Sequence, residues 1–300
     1  MKWNSAITIG AFDGVHRGHQ KLIRKCVKIA AQKGNKSIII VFERPVKNIE
    51  KVLSLPSEKI EKIKALGADK IIVIKVPSPV LNKSADEFLK EILIGKYKVA
   101  DFICGKNFAF GKDRQGKISW LSKKLKENAV KLHIIAPSKN SSKTISSSLI
   151  RNIISAGKVE KAPSLLGDAY FLRGKHFREK NLAASLGFPT VNLKTDERKL
   201  LPAGVFISLL KQKEKYLPSI TNIGHRPTIE ADSGKALSVE VHILNFKGIW
   251  NIKNNEVKLI KKIRDERKFN SLEDLRKQVR KDILKAERHF FNSTIKNYEL

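Results

Sequence analysis

Two histidines three residues apart, His16 and His19, lie in a glycine-rich stretch near the start of the chain. From Gly10 onward the stretch reads GAFDGVHRGHQ; it follows a short apolar segment and leads into a helical pattern. Gly10 and Gly14 allow the backbone to turn tightly where a strand ends, so that both imidazoles face one ligand. Gly18 leaves room for that ligand, and the start of a helix adds free N–H groups and partial positive charge. This combination predicts a triphosphate site.

The chemistry that fits such a site is nucleotidyl transfer. An anionic oxygen would attack the α-phosphorus of ATP, while the imidazoles stabilise charge on the phosphate oxygens and Mg²⁺ neutralises the rest. We therefore expect His16 and His19 to be catalytic. We expect the substrates to bind around Gly10, Phe12, Asp13, Gly14 and Gly18. The alternative is that the two histidines are surface residues at the start of a helix.

A serine-rich stretch later in the chain fits the same site. It reads ISSSLIR from Ile145 and begins the last predicted helix of the first half. The hydroxyl groups of Ser146, Ser147 and Ser148 and the guanidinium of Arg151 suit the β- and γ-phosphates of ATP, and we expect Arg151 to be catalytic. The alternative is that these serines only cap the helix.

The elements that must position these residues alternate between strands and helices in the first half. Short β-branched runs predict strands at 6–9, 37–42, 70–76, 99–104 and 132–136. Helical patterns are predicted at 18–33, 57–66, from 84 onward and at 147–156. This alternation is typical of an α/β fold with a buried parallel sheet.

After Lys158 the pattern changes to strands separated by Gly, Pro and Asn turns, which predicts a β domain. In 237–246, Val239, Val241 and Ile243 alternate with Glu240, His242 and Leu244. A final helix from Ser271 should pack on this domain through Leu272, Leu275, Val279, Ile283, Ala286 and Phe290. We place the two domains at 1–158 and 165–292.

The composition restricts the function classes. The 300 residues include 60 Lys+Arg and 29 Asp+Glu, giving a formal net charge of +31 at pH 7, and 41% are hydrophobic. This apolar content supports one or two folded cores and excludes a disordered chain. The basic residues are spread along the chain rather than clustered, so nucleic acid is not the expected partner. A basic nucleic-acid-binding protein is kept as the alternative from a different class.

The cysteines and the apolar segments indicate the cellular compartment of the protein. Cys26 and Cys104 are far apart and lack a metal-ligand spacing, so we expect buried, inert thiols rather than a disulfide or a zinc site. The first residues do not resemble a signal peptide, and no segment approaches the roughly 18 apolar residues of a membrane span. We expect a cytoplasmic protein with no membrane partner.

These motifs, in this order, resemble bacterial bifunctional riboflavin kinase/FAD synthetases over about residues 7–290. The first half is similar to their FMN adenylyltransferase module, a Rossmann-like HxGH nucleotidyltransferase domain. The resemblance implies that His16 and His19 contact ATP phosphates. It also implies that the stretch GKNFAFG from Gly105, with Asn107, and the stretch from Ile145 to Arg151 bind ATP and FMN.

The second half is similar to the family's riboflavin kinase module, a small β-barrel with a C-terminal helix. The resemblance is carried by LGFPTVN from Leu186, NIGHRPT from Asn222 and VEVHIL from Val239. It implies that Thr190 and Asn192 bind Mg²⁺ and phosphate and that Glu240 takes the proton from a ribityl hydroxyl. The remaining expected kinase-site residues are Gly187, Pro189 and Arg264.

The chain departs from the family pattern at several positions. Asn107 replaces the Asp of many members, and the stretch FERPV from Phe42 lacks the usual His-Pro. In the second half, Ala183-Ala184 replaces Gly-Arg, Asn245 replaces Asp, and Trp250-Asn251 replaces Tyr-Gly. Losing one charge-assisted phosphate contact would cost about 1.5–3 kcal/mol.

We expect an enzyme that phosphorylates riboflavin to FMN and adenylylates FMN to FAD, using ATP and Mg²⁺ in both steps. One alternative is an FMN adenylyltransferase whose kinase half is degenerate. Another keeps the HxGH chemistry but uses a different small phosphate monoester as acceptor. The sequence makes no prediction of oligomeric state.

Overall fold

The computed structural model describes residues 4–46, 49–177, 187–225, 237–246, 250 and 252–292. The chain divides into two compact units, Met1–Leu149 and Ile150–Leu300, which are described separately. Along the described part of the chain, no helix combines the length and the apolar character needed to cross a membrane.

The first unit alternates strands with helices, as its pattern predicts. Its strands are β1 (Ser5–Gly10), β2 (Lys36–Phe42), β3 (Lys70–Ile74), β4 (Val99–Gly105), β5 (Ala109–Phe110), β6 (Gly116–Lys117), β7 (Lys131–Ile135), β8 (Lys139–Asn140) and β9 (Lys143–Thr144). Its helices are α1 (Arg17–Gln32), α2 (Pro56–Ala65), α3 (Ala85–Glu87, continuing as a π-helical segment Phe88–Lys96) and α4 (Ile118–Glu127). Short 3₁₀ turns form at Asp13–Val15, Pro79–Asn82 and Lys112–Arg114. Helix α5 (Ser147–Ser155) begins in the first unit and ends in the second.

Five strands of the first unit form a parallel sheet in the order β3-β2-β1-β4-β7. Both faces of the sheet are covered, because alternate residues of β1 belong to two separate apolar clusters: Ile7 and Ile9 on one face, Ala6 on the other. The chain leaves β1 toward β2 on one side and reaches β4 on the other. In open sheets of this kind, ligands bind where the order reverses, outside the carboxyl ends of the strands. The sheet therefore directs attention to the ends of β1 and β4.

The second unit is a closed barrel followed by a helix. After a 3₁₀ turn at Val159–Lys161 and helix α6 (Ala162–Leu166), its strands are β10 (Tyr170–Phe177), β11 (Val191–Thr195), β12 (Gly204–Gln212), β13 (Lys215–His225), β14 (Leu237–Ile243) and β15 (Asn254–Arg264). The barrel closes in the order β10-β11-β14-β13-β12-β15. The final helix is α7 (Leu272–Asn292).

Helix α7 packs on the outside of the barrel, as its periodicity predicts. Ala286 is fully buried in a cluster with Val205, Ile207 and Ile220. Leu272 is an exception, because its side chain is 55% exposed. The first turn of α7 therefore extends beyond the apolar surface that the later turns cover.

The mixed fold class predicted from the sequence is confirmed, with a parallel sheet followed by a barrel and a C-terminal helix. Both cysteines are buried free thiols. Burial raises the pKa of Cys26 to about 12 and that of Cys104 to about 11, so both are neutral at physiological pH.

Candidate functional site

A cavity of about 360 Å³ lies at the carboxyl ends of β1, β4 and β7. The structure brings together there residues that are widely separated in sequence. Those expected from the sequence are Gly10, Phe12, His16, Gly18, His19, Asn107, Ser146 and Ser147. The cavity is also lined by Lys106, from the expected stretch that begins at Gly105, and by Cys104, Ser138 and Thr144, which the sequence does not predict to line it. The volume and the position at the reversal of strand order are typical of a small-molecule site.

His16 and His19 form a stacked pair at the start of α1. Their ring centroids are 3.5 Å apart with an interplanar angle of 17°. His16 is buried, and its Nδ1 accepts a hydrogen bond of 3.3 Å from the backbone N–H of His19, so that it also caps the helix. The rings of Phe12 and His19 pack perpendicular to each other, with centroids 5.3 Å apart and an interplanar angle of 87°. The pair is therefore held rigidly within the cavity wall, which does not fit a description as two surface residues.

Burial makes both imidazoles neutral at physiological pH. Desolvation lowers the pKa of His16 from 6.5 to about 4. Desolvation, the adjacent His16 and the charge of Lys59 together hold the pKa of His19 well below its ordinary value. Nδ1 of His19 is buried and has no hydrogen-bond partner among the described residues. Such an atom is satisfied when a polar ligand or water enters the cavity.

Two glycines near the histidines leave room for aromatic rings, Gly18 for the ring of His16 and Gly10 for the ring of Phe12. A Cβ at Gly18 would lie 3.1 Å from Cε1 of His16, and a Cβ at Gly10 would lie 3.3 Å from Cζ of Phe12. Gly14 has φ of 80°, in the left-handed region that favours glycine. The sequence predicts that Gly18 leaves room for the ligand, whereas in the structure the atoms nearest to that position belong to the His16 ring.

Asp13 lies beneath the cavity wall rather than in its lining. It is buried, and its Oδ1 accepts hydrogen bonds from the backbone N–H groups of Leu53 at 2.9 Å and Ser54 at 3.2 Å. The Ser54 hydroxyl in turn accepts the N–H of Gly14 at 2.8 Å. These contacts fix the loop after β1 to the segment before α2. Nothing in the sequence pattern marked Ser54 for this position.

The serine-rich start of α5 combines a structural and a site role. The Ser146 hydroxyl accepts the N–H of Leu149 at 3.2 Å, which is the capping contact named as the alternative, and Ser146 also lines the cavity. The Ser147 hydroxyl donates to the backbone carbonyl of Asp13 at 2.9 Å. Ser148 is exposed, and Arg151 is partly buried one turn later in α5.

Glu240 and Asn192 are cross-strand neighbours in the barrel. Strand β14 pairs with β11 in a register that places Glu240 opposite Asn192, and with β13 in a register that places Glu240 opposite Asn222. The flanking Val239 and Val241 are buried, whereas Glu240 is partly exposed and points to the other face. Directly opposed side chains in antiparallel strands have Cβ atoms about 4.5–5.5 Å apart. The two predicted kinase residues are therefore adjacent.

The other predicted kinase residues lie before β11 and at the end of β15. Gly187 has φ of 89°, the carbonyl of Pro189 accepts a hydrogen bond of 2.9 Å from Nδ1 of His242, and Thr190 directly precedes β11. Arg264 donates from Nε to Oδ2 of the buried Asp282 at 2.8 Å. Arg264 lies at the end of β15, which is three strands from the Glu240 strand β14 in either direction around the closed barrel.

The departures from the family pattern are only partly within the described structure. Asn245 adopts φ of 55°, a left-handed conformation that Asn tolerates. Trp250 donates from Nε1 to Oδ1 of Asn255 at 2.8 Å. Ala183-Ala184, Asn251 and the end of the NIGHRPT motif lie outside the described residues.

Comparison with known proteins identifies the two halves. A family model described as FAD synthetase matches residues 1–149, and one described as riboflavin kinase matches residues 166–290. A bifunctional riboflavin kinase/FMN adenylyltransferase of Buchnera aphidicola subsp. Schizaphis graminum is 35% identical, over 96% of this chain and 94% of the relative. The protein of that name from Bacillus subtilis is 30% identical, over 96% and 93%.

A solved structure has the same fold over almost the whole chain. It is described as a macrolide-efflux protein from Streptococcus pneumoniae, with a TM-score of 0.84, 24% identity and coverage of 96% of this chain and 95% of the other. At that identity the likeness concerns the fold alone. The family models and the curated relatives confirm the resemblance drawn from the motifs, and the chain belongs to the family of bifunctional riboflavin kinase/FMN adenylyltransferases.

Proposed function

We propose that the chain converts riboflavin to FMN in its barrel and FMN to FAD in its N-terminal unit, using one ATP at each site. The observation that carries the proposal is the stacked pair of the buried His16 and the partly buried His19 in a cavity at the ends of β1 and β4. In the barrel, the adjacent Asn192 and Glu240 support the second site. We place the two activities in residues 1–158 and 165–292.

In the N-terminal unit, a phosphate oxygen of FMN bonds to the α-phosphorus of ATP while the bond to the β-phosphate oxygen breaks, releasing pyrophosphate. Nδ1 of His16 accepts the His19 N–H, so neutral His16 carries its proton on Nε2 and donates from there to a phosphate oxygen. Nδ1 of His19 supplies a second ring nitrogen with no partner among the described residues. Two neutral imidazoles thus stabilise the growing charge by hydrogen bonding.

Other predicted residues complete the nucleotide site in this proposal. Asn107 and the hydroxyls of Ser146 and Ser147 lie around the same cavity and contact the substrates, while Asp13 and Gly14 hold the loop that carries the histidines. Ser148 and Arg151 are proposed to contact the β- and γ-phosphates from α5.

In the barrel, Glu240 accepts the proton of the terminal ribityl hydroxyl as that oxygen bonds to the γ-phosphorus of ATP and ADP leaves. Gly187 and Pro189 shape the segment that leads into Thr190 and Asn192. Arg264 holds α7 to the barrel through Asp282, and we propose that it supports this site from there.

The donor set of the barrel fits Mg²⁺ held together with ATP. Asn192 offers a neutral oxygen opposite Glu240, and Thr190, two residues earlier in the chain, offers a second; these are the kind of ligands that Mg²⁺ takes alongside phosphates and water. The described residues contain no cluster of three or more His, Cys, Asp or Glu side chains that would hold the ion by themselves. When bound, Mg²⁺ neutralises phosphate charge, and Thr190 and Asn192 would be its protein ligands.

Chromatography of flavins after incubation with MgATP tests the proposal. Riboflavin and FMN are supplied separately, and ADP and pyrophosphate are measured as co-products. We expect FMN and then FAD from riboflavin, and FAD directly from FMN. FAD from FMN alone would contradict the kinase assignment and support the degenerate alternative. Absence of FAD from both substrates would contradict the proposal as a whole.

A further inference from the structure

A lysine is buried beneath the loop that carries the two histidines. Lys59, on α2, is only 1% exposed. Its Nζ donates hydrogen bonds to three backbone carbonyls, those of Phe42 at 2.7 Å, Glu43 at 2.9 Å and Ala11 at 3.2 Å. An ammonium has three N–H donors, so these contacts use its full capacity. Burying a charge is costly unless its hydrogen-bond donors have partners. All three N–H groups of the Lys59 ammonium have one.

The three carbonyls belong to two different chain segments. Ala11 begins the loop between β1 and the histidines, whereas Phe42 ends β2 and Glu43 follows it. β1 and β2 are adjacent parallel strands, so Lys59 joins their carboxyl ends at the base of the cavity wall. Ser54, just before the same helix, fixes the loop a second time through Gly14.

The charge of Lys59 also reaches the catalytic pair. Four titratable groups face it or adjoin it: Asp13 from the loop, Glu43 from the end of β2, His19 from α1 and Glu58 from α2 itself. Burial lowers the pKa of Lys59 to about 8, although Asp13 and Glu43 oppose that shift. Its positive charge contributes to the lowered pKa of His19, after burial and His16.

We propose that Lys59 is a positioning residue for adenylyl transfer, because its ammonium holds the loop of Ala11 and Phe12 against the end of β2 and thereby fixes the His16–His19 pair. The inference rests on the proposed function of the N-terminal unit. It assigns no contact between Lys59 and substrate. What Lys59 fixes is the distance between two strand ends on which the geometry of the cavity depends.

Replacing Lys59 by Met removes the ammonium and keeps much of the apolar stem. Lys64→Met is the matched control, because Lys64 lies exposed on the same helix and loses the same charge. Displacement of reacting groups by about 1 Å commonly costs on the order of a hundredfold in rate, so we expect kcat for FAD formation to fall about 30- to 100-fold in Lys59→Met. Lys64→Met should remain within twofold of the parent, and riboflavin phosphorylation should be unchanged in both.

A pH profile separates positioning from mere stability. A neutral amine has only two N–H donors for three carbonyls, so FAD formation by the parent protein should fall as pH rises through about 8. Lys59→Arg keeps a charge that does not titrate in this range, and its residual activity should lack that fall. If Lys59→Met does not fold, as judged by thermal unfolding, this comparison of the parent with Lys59→Arg decides the question.

Two results would overturn the inference alone: a folded Lys59→Met that forms FAD within threefold of the parent, or the same alkaline fall in Lys59→Arg as in the parent. Either leaves the proposed function intact, since the parent still makes FAD from FMN. A parent protein that makes no FAD from FMN would instead remove the proposed function and this inference together.

Discussion

In the N-terminal unit His16 and His19 lie beside a loop at the end of β1, whereas in the barrel Asn192 and Glu240 lie within adjacent strands. The loop site depends on buried polar contacts from outside it, such as those of Asp13 with the segment before α2. The barrel pair depends on strand register, because a one-residue slip would turn Glu240 to the other face. The geometry of the first site therefore depends on contacts made by residues outside it, and that of the second depends on the strand register of the barrel.

The largest effect is expected from replacing both His16 and His19 by Ala. Removing one preorganised donor commonly costs about 10²–10³-fold, so FAD formation from FMN should fall by roughly 10⁴-fold or below detection. FMN formation from riboflavin should change little, because that site lies in the other unit. Separate assays of the two reactions check this, and equal loss of both activities would contradict the comparison.

Glu240→Gln should produce the reverse pattern. The amide keeps the shape of the side chain but cannot accept the hydroxyl proton as a carboxylate does, so FMN formation should fall by about 10²–10³-fold. FAD formation from added FMN should remain at the parent level. Retention of riboflavin phosphorylation in this variant would show that Glu240 is not the base.

Gly18→Ala tests how tightly the loop site is packed. The added Cβ would lie 3.1 Å from the His16 ring, so the ring must shift by a few tenths of an ångström. We expect FAD formation to fall about tenfold, less than for loss of the imidazoles. Riboflavin phosphorylation in the same variant is the control, and unchanged FAD formation would mean that the position of the His16 ring is not critical.

The smallest effect concerns the dependence of stability on pH. The pKa of His16 is lowered from 6.5 to about 4 in the folded protein, so the unfolded chain binds a proton that the folded protein does not between these values. Neutral, buried His16 therefore makes its full contribution to the free energy of unfolding above pH 6.5. As pH falls from 6.5 toward 4, protonation of this residue in the unfolded chain lowers the free energy of unfolding by up to about 3 kcal/mol. Denaturant unfolding should therefore show that the free energy of unfolding falls more steeply in the parent than in His16→Gln as pH is lowered from 6.5 to 4. A difference constant with pH would contradict the burial of a neutral His16.

The order of elements could be predicted from the sequence because buried parallel strands are short β-branched runs with helices between them. Strand β3 ends at Ile74, although the apolar run extends to Val76. In the barrel, the alternation of Val239 and Val241 with Glu240 correctly predicted that the two valines and Glu240 lie on opposite faces of β14. Because side chains alternate between the two faces of a strand, the face on which Glu240 lies could be predicted from the sequence.

The anchors of the loop site could not be predicted in the same way. Lys59 follows Glu58 in a charged helical segment, and its burial results from tertiary contacts with carbonyls 16 to 48 residues away in sequence. The ion pair of Arg264 with Asp282 likewise joins a strand to a helix. A charged side chain carries no local sign that three carbonyls will surround it, because those carbonyls are brought there by the sheet.

The central claim is that two independent sites act in sequence on one flavin. The most direct test mixes equal amounts of the His16/His19→Ala double variant and Glu240→Gln with riboflavin and MgATP, and follows flavins by chromatography. We expect each variant alone to form about a hundredth or less of the FAD that the mixture forms from riboflavin, because FMN released by the first is adenylylated by the second. If the mixture makes no FAD while Glu240→Gln still converts added FMN, the claim of independent sites is contradicted.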